Sequence, residues 1–402
     1  MKKLLIVLLV VLLLFAGVIG YFSLKNKPAE VQPEPTPSEE PIEGYGISYY
    51  AIDLDAVYAL HDPSEVVATV DGRNVTWDEY FYWLSSGAAS VENYMLQMAF
   101  YGMDISWEEA WGEDPDENFF DYVCYSAEEN IKPFVAIEAI AAENGVTLDE
   151  AGEAELAERM QQYRVECVGE GATDEEYAEY MRTVERLGLD TLEMLMRDSA
   201  LYQACFTAIY GEDGALVSDE DAMAYLEEIG YLKANHILRL TMNMDTGESL
   251  SDEEIAQKEA EAAAIAAQLQ EIEDREELLE RLAALKEEWD EDSGKVDYPD
   301  GYVFGEGEMV DEFYDAALAL EEYRVSDPVL SPYGYHVIVR LPLDPEVVLG
   351  YSDEGTPITA RAACANQRYG ELLDERLLAS SFTYAEGFEL PDLSQYLVEE
   401  SF

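Results

Sequence analysis

Apolar and polar positions along the chain predict a run of helices, then a mixed segment, then one more helix. Val66-Val67-Ala68-Thr69-Val70 has the β-branched content of a strand, and Asp71-Gly72 is a turn signal. Thr76 with Glu79 three residues later makes a capping box, and the pairing recurs at Thr147/Glu150 and Thr173/Glu176. Apolar residues at helical spacing then predict helices over about 76–101, 126–143, 147–165, 173–187 and 190–210, with glycines between them. Residues 65–230 therefore read as a helical domain that opens on one short strand.

The pattern changes at Leu232. Leu232 to Leu240 reads as a strand. Ser251 with Glu254 starts a helix with Ile255, Ile265, Leu269 and Ile272 on its apolar side. Asp274 with Glu277 starts a second, through Leu278, Leu282 and Leu285 to Trp289. Residues 290–307 read as an irregular loop. A third helix starts near Met309, with Phe313 one turn further on. Pro328-Val329-Leu330, a turn, and a strand over Tyr335 to Arg340 close the segment. The order β-α-α-loop-α-β-β predicts an α+β domain with a small antiparallel sheet and surrounding helices. Thr359 to Leu378 predicts a last helix, and Phe388 to Phe402 carries no pattern.

The N-terminus bears on location. Met1-Lys2-Lys3 precedes an uncharged apolar run from Leu4 to Leu24. About twenty such residues span a bilayer as a helix, and Lys2 and Lys3 would keep the N-terminus inside. The length of the run and the lack of a closing A-x-A pattern favour an uncleaved single-pass anchor over a cleaved signal peptide. No Cys follows to accept a lipid. The Pro/Glu-rich stretch 28–44 reads as a stiff, solvated spacer. The expected divisions are 1–24 anchor, 25–64 linker and acidic leader, 65–230 helical domain, 231–345 α+β domain, and 346–402 a helix packing back on the helical domain plus a tail.

Composition narrows the function. The 402 residues hold 87 acids against 23 Lys/Arg, a net charge of −64. That field repels nucleic acid and anionic membrane surfaces. Apolar residues at 49% exclude a disordered acidic tail. Four scattered Cys without a C-x-x-C pair, and only three His, point to no metal, dithiol or cofactor site. An acidic, cation-buffering protein is a further reading, but no D-x-D-x-D-G loop supports calcium sites. Fourteen aromatics crowd Trp77 to Tyr125, beside Met95, Met98 and Met103. Core packing explains most of them; exposed ones would suit a groove for varied peptides.

Four stretches in order now carry a resemblance. They are Lys233-Ala234-Asn235-His236-Ile237-Leu238, Phe304 to Phe313, Val325-Ser326-Asp327-Pro328-Val329, and Ser331-Pro332-Tyr333-Gly334-Tyr335-His336-Val337-Ile338. The segment resembles a parvulin-type peptidyl-prolyl isomerase domain. Val67 to Thr76 resembles the opening motif of the helical chaperone domain in exported foldases of the PrsA/SurA type. The resemblance implies a site made of His236, His336, Ser331 and Asp292, the last at a position held by Cys or Asp. It implies an apolar floor for the proline ring from Met309 and Phe313, with Phe304 at the pocket edge and Tyr333 in the substrate-binding set. It implies no cofactor, and as partners unfolded exported polypeptides containing X-Pro bonds. The family's Gly-Gly-Asp-Leu-Gly stretch is replaced here by Val296 to Val303, which borders the pocket. Residues 241–254 hold five acids and no Lys or Arg, so a phosphoserine-directed isomerase is not expected.

Elementary chemistry agrees with that implication. Rotating an X-Pro amide crosses a barrier of about 18–20 kcal/mol by breaking amide resonance, and no bond is cut. An apolar cup and a polar wall suffice; no nucleophile or metal is needed. Asp292, between Glu291 and Ser293, reads equally well as part of a solvated acidic loop, and His61 reads as a surface residue without a partner. Two functional readings follow: a membrane-anchored foldase combining isomerase and chaperone, or a chaperone whose isomerase fold is catalytically silent. Residues 232–344 hold 29 acids against 9 Lys/Arg, a net of −20, so the charge is spread along the chain. Such a coat favours neutral or basic clients.

Overall fold

The computed structural model describes residues 48–112, 114–352 and 355–401. The apolar run 4–24 and the spacer 28–44 lie outside them. Among the described residues no helix is long and apolar enough to cross a membrane. The chain forms two units. One runs to Ala208 and resumes at Glu371; the other is Ile209–Gly370.

The first unit begins with β1 (Ser48–Ile52), α1 (Leu54–Tyr58) and a hairpin of β2 (Val66–Val70) and β3 (Arg73–Thr76). The expected single strand is thus a pair. Asp71 and Gly72 both take positive φ, 49° and 89°, as a tight hairpin turn requires. Then come α2 (Trp77–Phe100), α3 (Phe119–Asn144), α4 (Glu150–Val168), α5 (Asp174–Tyr180) and α6 (Leu189–Tyr210). Thr173 and Glu176 cap α5 reciprocally. Thr147 does not cap α4; Asp149 does, accepting from Gly152 N–H. The expected helix over 173–187 breaks into α5 and a π turn at Met181–Glu185.

The aromatics divide. Trp77, Tyr80, Phe81, Trp83 and Trp107 are buried with Val123, Ala127 and Ile131 of α3. Tyr94, Phe100, Tyr101 and Met103 stay exposed around the end of α2. His61 is half-buried and has a partner, Glu65 Oε2 at 3.1 Å, because Trp77 and Phe388 hold its ring.

The second unit holds α7 (Asp219–Glu228), β4 (Leu232–Leu240), α8 (Asp252–Gln270), α9 (Arg275–Trp289), β5 (Tyr302–Phe304), α10 (Asp311–Leu318), β6 (Val329–Leu330), β7 (Gly334–Leu341), the hairpin β8 (Val348–Tyr351) and β9 (Pro357–Thr359), and most of α11 (Ala360–Ala379). The sheet order is β5-β4-β7-β6, antiparallel throughout. β5 lies inside the stretch expected to be loop. One sheet face packs Ile237, Val337, Val339 and Leu341 on α8 and α9. The other packs Leu232, Ala234 and Ile338 on α10.

After α11 the chain returns to the first unit, where β10 (Phe382–Tyr384) pairs with β2 and β11 (Leu397–Ser401) pairs with β1. The patternless C-terminal stretch thus supplies a strand. Within this unit Arg73 bridges two acids: its Nη1 meets Glu79 Oε1 at 2.6 Å and its Nη2 meets Glu138 Oε1 at 3.2 Å. Glu79 is buried, so it answers Arg73 rather than completing the capping box with Thr76. Burial holds the Glu79 carboxyl above its usual range despite Arg73. Arg73→Met strands that carboxylate and is expected to cost about 3 kcal/mol. The loss should be smaller at pH 5 than at pH 8, because a raised carboxyl stabilises the fold only while protonated. Urea unfolding of the two proteins at both pH values checks this.

Candidate functional site

Strand register decides what meets on the α10 face. His236 lies opposite Ile338, and Leu238 opposite His336. Opposed residues on antiparallel strands share a face, so both histidines join Ala234 and Ile338. His336 Nδ1 lies 3.4 Å from His236 Nδ1. Ser331, just past β6, places its Oγ 2.7 Å from His336 Nε2. All three side chains are buried. Phe313 of α10 sets its ring edgewise to both imidazoles, at 5.0 and 5.3 Å between centroids.

A sheet edge delivers Asp292. β5 pairs with β4 only along Leu232–Ala234. Beyond it, residues 290–292 run along the same edge. Leu238 N–H donates to Asp290 Oδ1 at 2.9 Å, Glu291 N–H to Leu238 O at 3.0 Å, and Leu240 N–H to Glu291 Oε2 at 2.9 Å. Buried strand donors need such partners. Asp290 is itself buried, with Lys286 Nζ 3.9 Å from its Oδ2. Asp290 Oδ1 also accepts Asp292 N–H at 3.1 Å. Asp292 Oδ2 then meets His236 Nε2 at 3.1 Å.

The carboxylate sets the polarity of the row. An ionised carboxylate only accepts, so His236 carries its proton on Nε2, and its Nδ1 is free to accept. His336 then donates from Nδ1, and its Nε2 accepts from the Ser331 hydroxyl. The row reads Ser331 to His336 to His236 to Asp292, each donating to the next. These tautomers follow from the hydrogen-bond network. The bond from His236, with donors from Tyr302 OH and Gly294 N–H, holds the Asp292 carboxyl well below the usual range, against the effect of burial. Burial, helped by nearby His236, pushes His336 down to about 3. His336 is therefore neutral at physiological pH.

The remaining expected residues fall in different places. Met309 is half-buried against the Phe304–Phe313 cluster. Tyr333 is exposed, with its N–H donating to Ser331 Oγ at 3.2 Å. Phe304 is 1% exposed and lies against Phe313 at 5.5 Å. Its pairing with Leu232 turns it into the core of the domain. Tyr302, Gly294, Asp290 and Lys286 also surround the row and were not singled out from sequence. Tyr302-Val303-Phe304 alternates too briefly to signal a strand.

The comparisons decide the family of this segment. Residues 236–341 match the family described as Rotamase, PPIC-type PPIASE domain. Residues 236–341 are a parvulin-type domain. The chain is 33% identical over 132 residues to a protein named Foldase protein PrsA from Halalkalibacterium halodurans, covering 32% of each chain. It is 30% identical over 175 residues to Foldase protein PrsA 3 from Bacillus cereus, covering 42% of this chain and 50% of that one. The chain thus spans a third to a half of these relatives. A crystal structure of peptidylprolyl isomerase (PrsA) from Bacillus cereus is 20% identical, over 71% of this chain and 95% of that one, at a TM-score of 0.29. That superposition is too loose to add to the assignment.

The parvulin-type domain should carry a pH signature. As pH falls, the unfolded chain protonates His336 near 6.5, before the folded one does near 3. Its contribution to stability is full above about pH 6.5 and is lost toward pH 3, at up to about 1.4 kcal/mol per pH unit. His336→Phe removes this dependence. The unfolding free energy of wild type minus variant, from urea titrations, is expected to fall by about 2 kcal/mol between pH 7.5 and 5.0. A constant difference would contradict a buried neutral His336.

Proposed function

We propose that this chain is an extracytoplasmic peptidyl-prolyl cis-trans isomerase that also holds unfolded exported polypeptides, tethered to the membrane by residues 1–24. The observation that carries the isomerase reading is the hydrogen-bonded row from Ser331 through His336 and His236 to the ionised Asp292, beside Phe313, within a parvulin-type domain. Met309 and Phe313 receive the proline ring, with Phe304 beneath them. Tyr333 lies over the substrate. An apolar floor strips water from the bound amide. Water favours the dipolar planar amide, so its removal lowers the relative cost of the twisted one. His236, His336 and Ser331 form the wall beside the amide, and Asp292 keeps that wall oriented. The residues keep their protons throughout, since no bond is made or cut.

The chaperone reading rests on the first unit, where Tyr94, Phe100, Tyr101 and Met103 expose apolar area. Similarity to proteins named foldase supports it. The silent-domain alternative keeps this holding role and drops the chemistry.

Full-length protein should accelerate isomerisation of a proline tetrapeptide, and His336→Ala should lower kcat/KM by at least about 10-fold. Equal rates with and without enzyme would leave the silent reading. Suppression of aggregation should be stronger for a basic unfolded client than for an acidic one and should weaken with salt, as screened charge requires. Salt-independent holding would contradict the role given to the acidic coat.

A further inference from the structure

The register of β5 makes one residue stand out. Tyr302 lies opposite Ala234, so it shares the histidine face one strand over from His236. It belongs to the segment that replaces the glycine-rich stretch of the resemblance. Its hydroxyl donates to Asp292 Oδ2 at 2.5 Å. That oxygen also faces His236 Nε2 at 3.1 Å. The other oxygen, Oδ1, accepts Gly294 N–H at 3.1 Å. Three donors from three directions hold both oxygens, which leaves the carboxylate no free rotation.

Gly294 is matched to this arrangement. A Cβ there would lie 2.1 Å from the Tyr302 hydroxyl oxygen. One residue therefore supplies a donor to Asp292 and leaves room for the second. The Tyr302 ring is fixed as well: it lies 5.6 Å from the His236 ring and 4.7 Å from the Tyr298 ring between centroids. Burial, with the bond to Asp292, holds its phenol above the ordinary value, so it stays a donor at neutral pH.

We propose that Tyr302 is a positioning residue of this site: its hydroxyl fixes the Asp292 carboxylate, and through it His236, in the orientation that isomerisation uses. The proposal rests on the isomerase reading above. Without the hydroxyl, Asp292 keeps only His236 and Gly294, and it can swing between them. The His236 ring then loses its fixed acceptor, and the row loses its register.

The test uses full-length protein. Tyr302→Phe removes one oxygen and keeps the ring. It is expected to lower kcat about 10-fold, the size of effect of removing an orienting hydrogen bond, with KM within about twofold and the thermal midpoint nearly unchanged. The ring resonances of His236 should shift while those of His61 stay in place; three histidines make them simple to assign. Gly294→Ala, which pushes the hydroxyl away while keeping it, should give the same changes. The double variant should be no worse than either single one. Wild-type kcat and unmoved His236 resonances in Tyr302→Phe would overturn the proposal. Should the wild type prove inactive, the isomerase reading fails by itself, and the resonance comparison, made without substrate, still decides whether Tyr302 positions His236.

Discussion

One ionised carboxylate organises the second unit. Asp292 accepts at both oxygens, and that fixes which nitrogen of His236 bears a proton. The choice passes to His336 and on to Ser331. A buried row of this kind is stable only when every member is satisfied, and here each donor has an acceptor. The charge sits at one end, and the imidazoles between it and Ser331 need carry none. The rest of the domain can be understood as the means of holding that end in place.

Two sheet faces divide the work. Ile237, Val337, Val339 and Leu341 anchor the sheet to α8 and α9 and take no part in the row. The opposite face gives its central positions to histidines, with Phe313 against them. The edge of β4 is completed first by β5 and then by residues 290–292, so a feature that protects a strand edge also aims the carboxylate. Buried Lys286 and Asp290 stand behind this edge, where burial lowers the Lys286 ammonium's affinity for its proton. In the first unit the relation is reversed, and Arg73 compensates a carboxylate that packing has already buried.

Much of this was legible in the sequence, and the failures are instructive. His236, His336 and Ser331 lie within motifs and on strands whose alternation is strong, so their meeting could be anticipated. Asp292 could not be told from a solvated acidic loop, because nothing local shows that Glu291 and Asp290 line a strand edge. Tyr302 was missed because three residues are too few to show a period of two. That Phe304 faces the core follows from its pairing with Leu232, which no motif position records. β11 and β10 depend on partners more than 300 residues away, and no local pattern records such pairing. Thr147 lost its cap to Asp149 because both are good caps and only the helix start chooses between them.

The row from Ser331 to Asp292 carries its formal negative charge on the carboxylate at its end. The central claim is the direction of that row. It is tested most directly by long-range proton–nitrogen correlation spectra of the full-length protein, labelled with nitrogen-15 in histidine, at pH 7.5. The account predicts a proton on Nε2 of His236 and on Nδ1 of His336. A proton on Nε2 of His336, with Nδ1 bare, would contradict it.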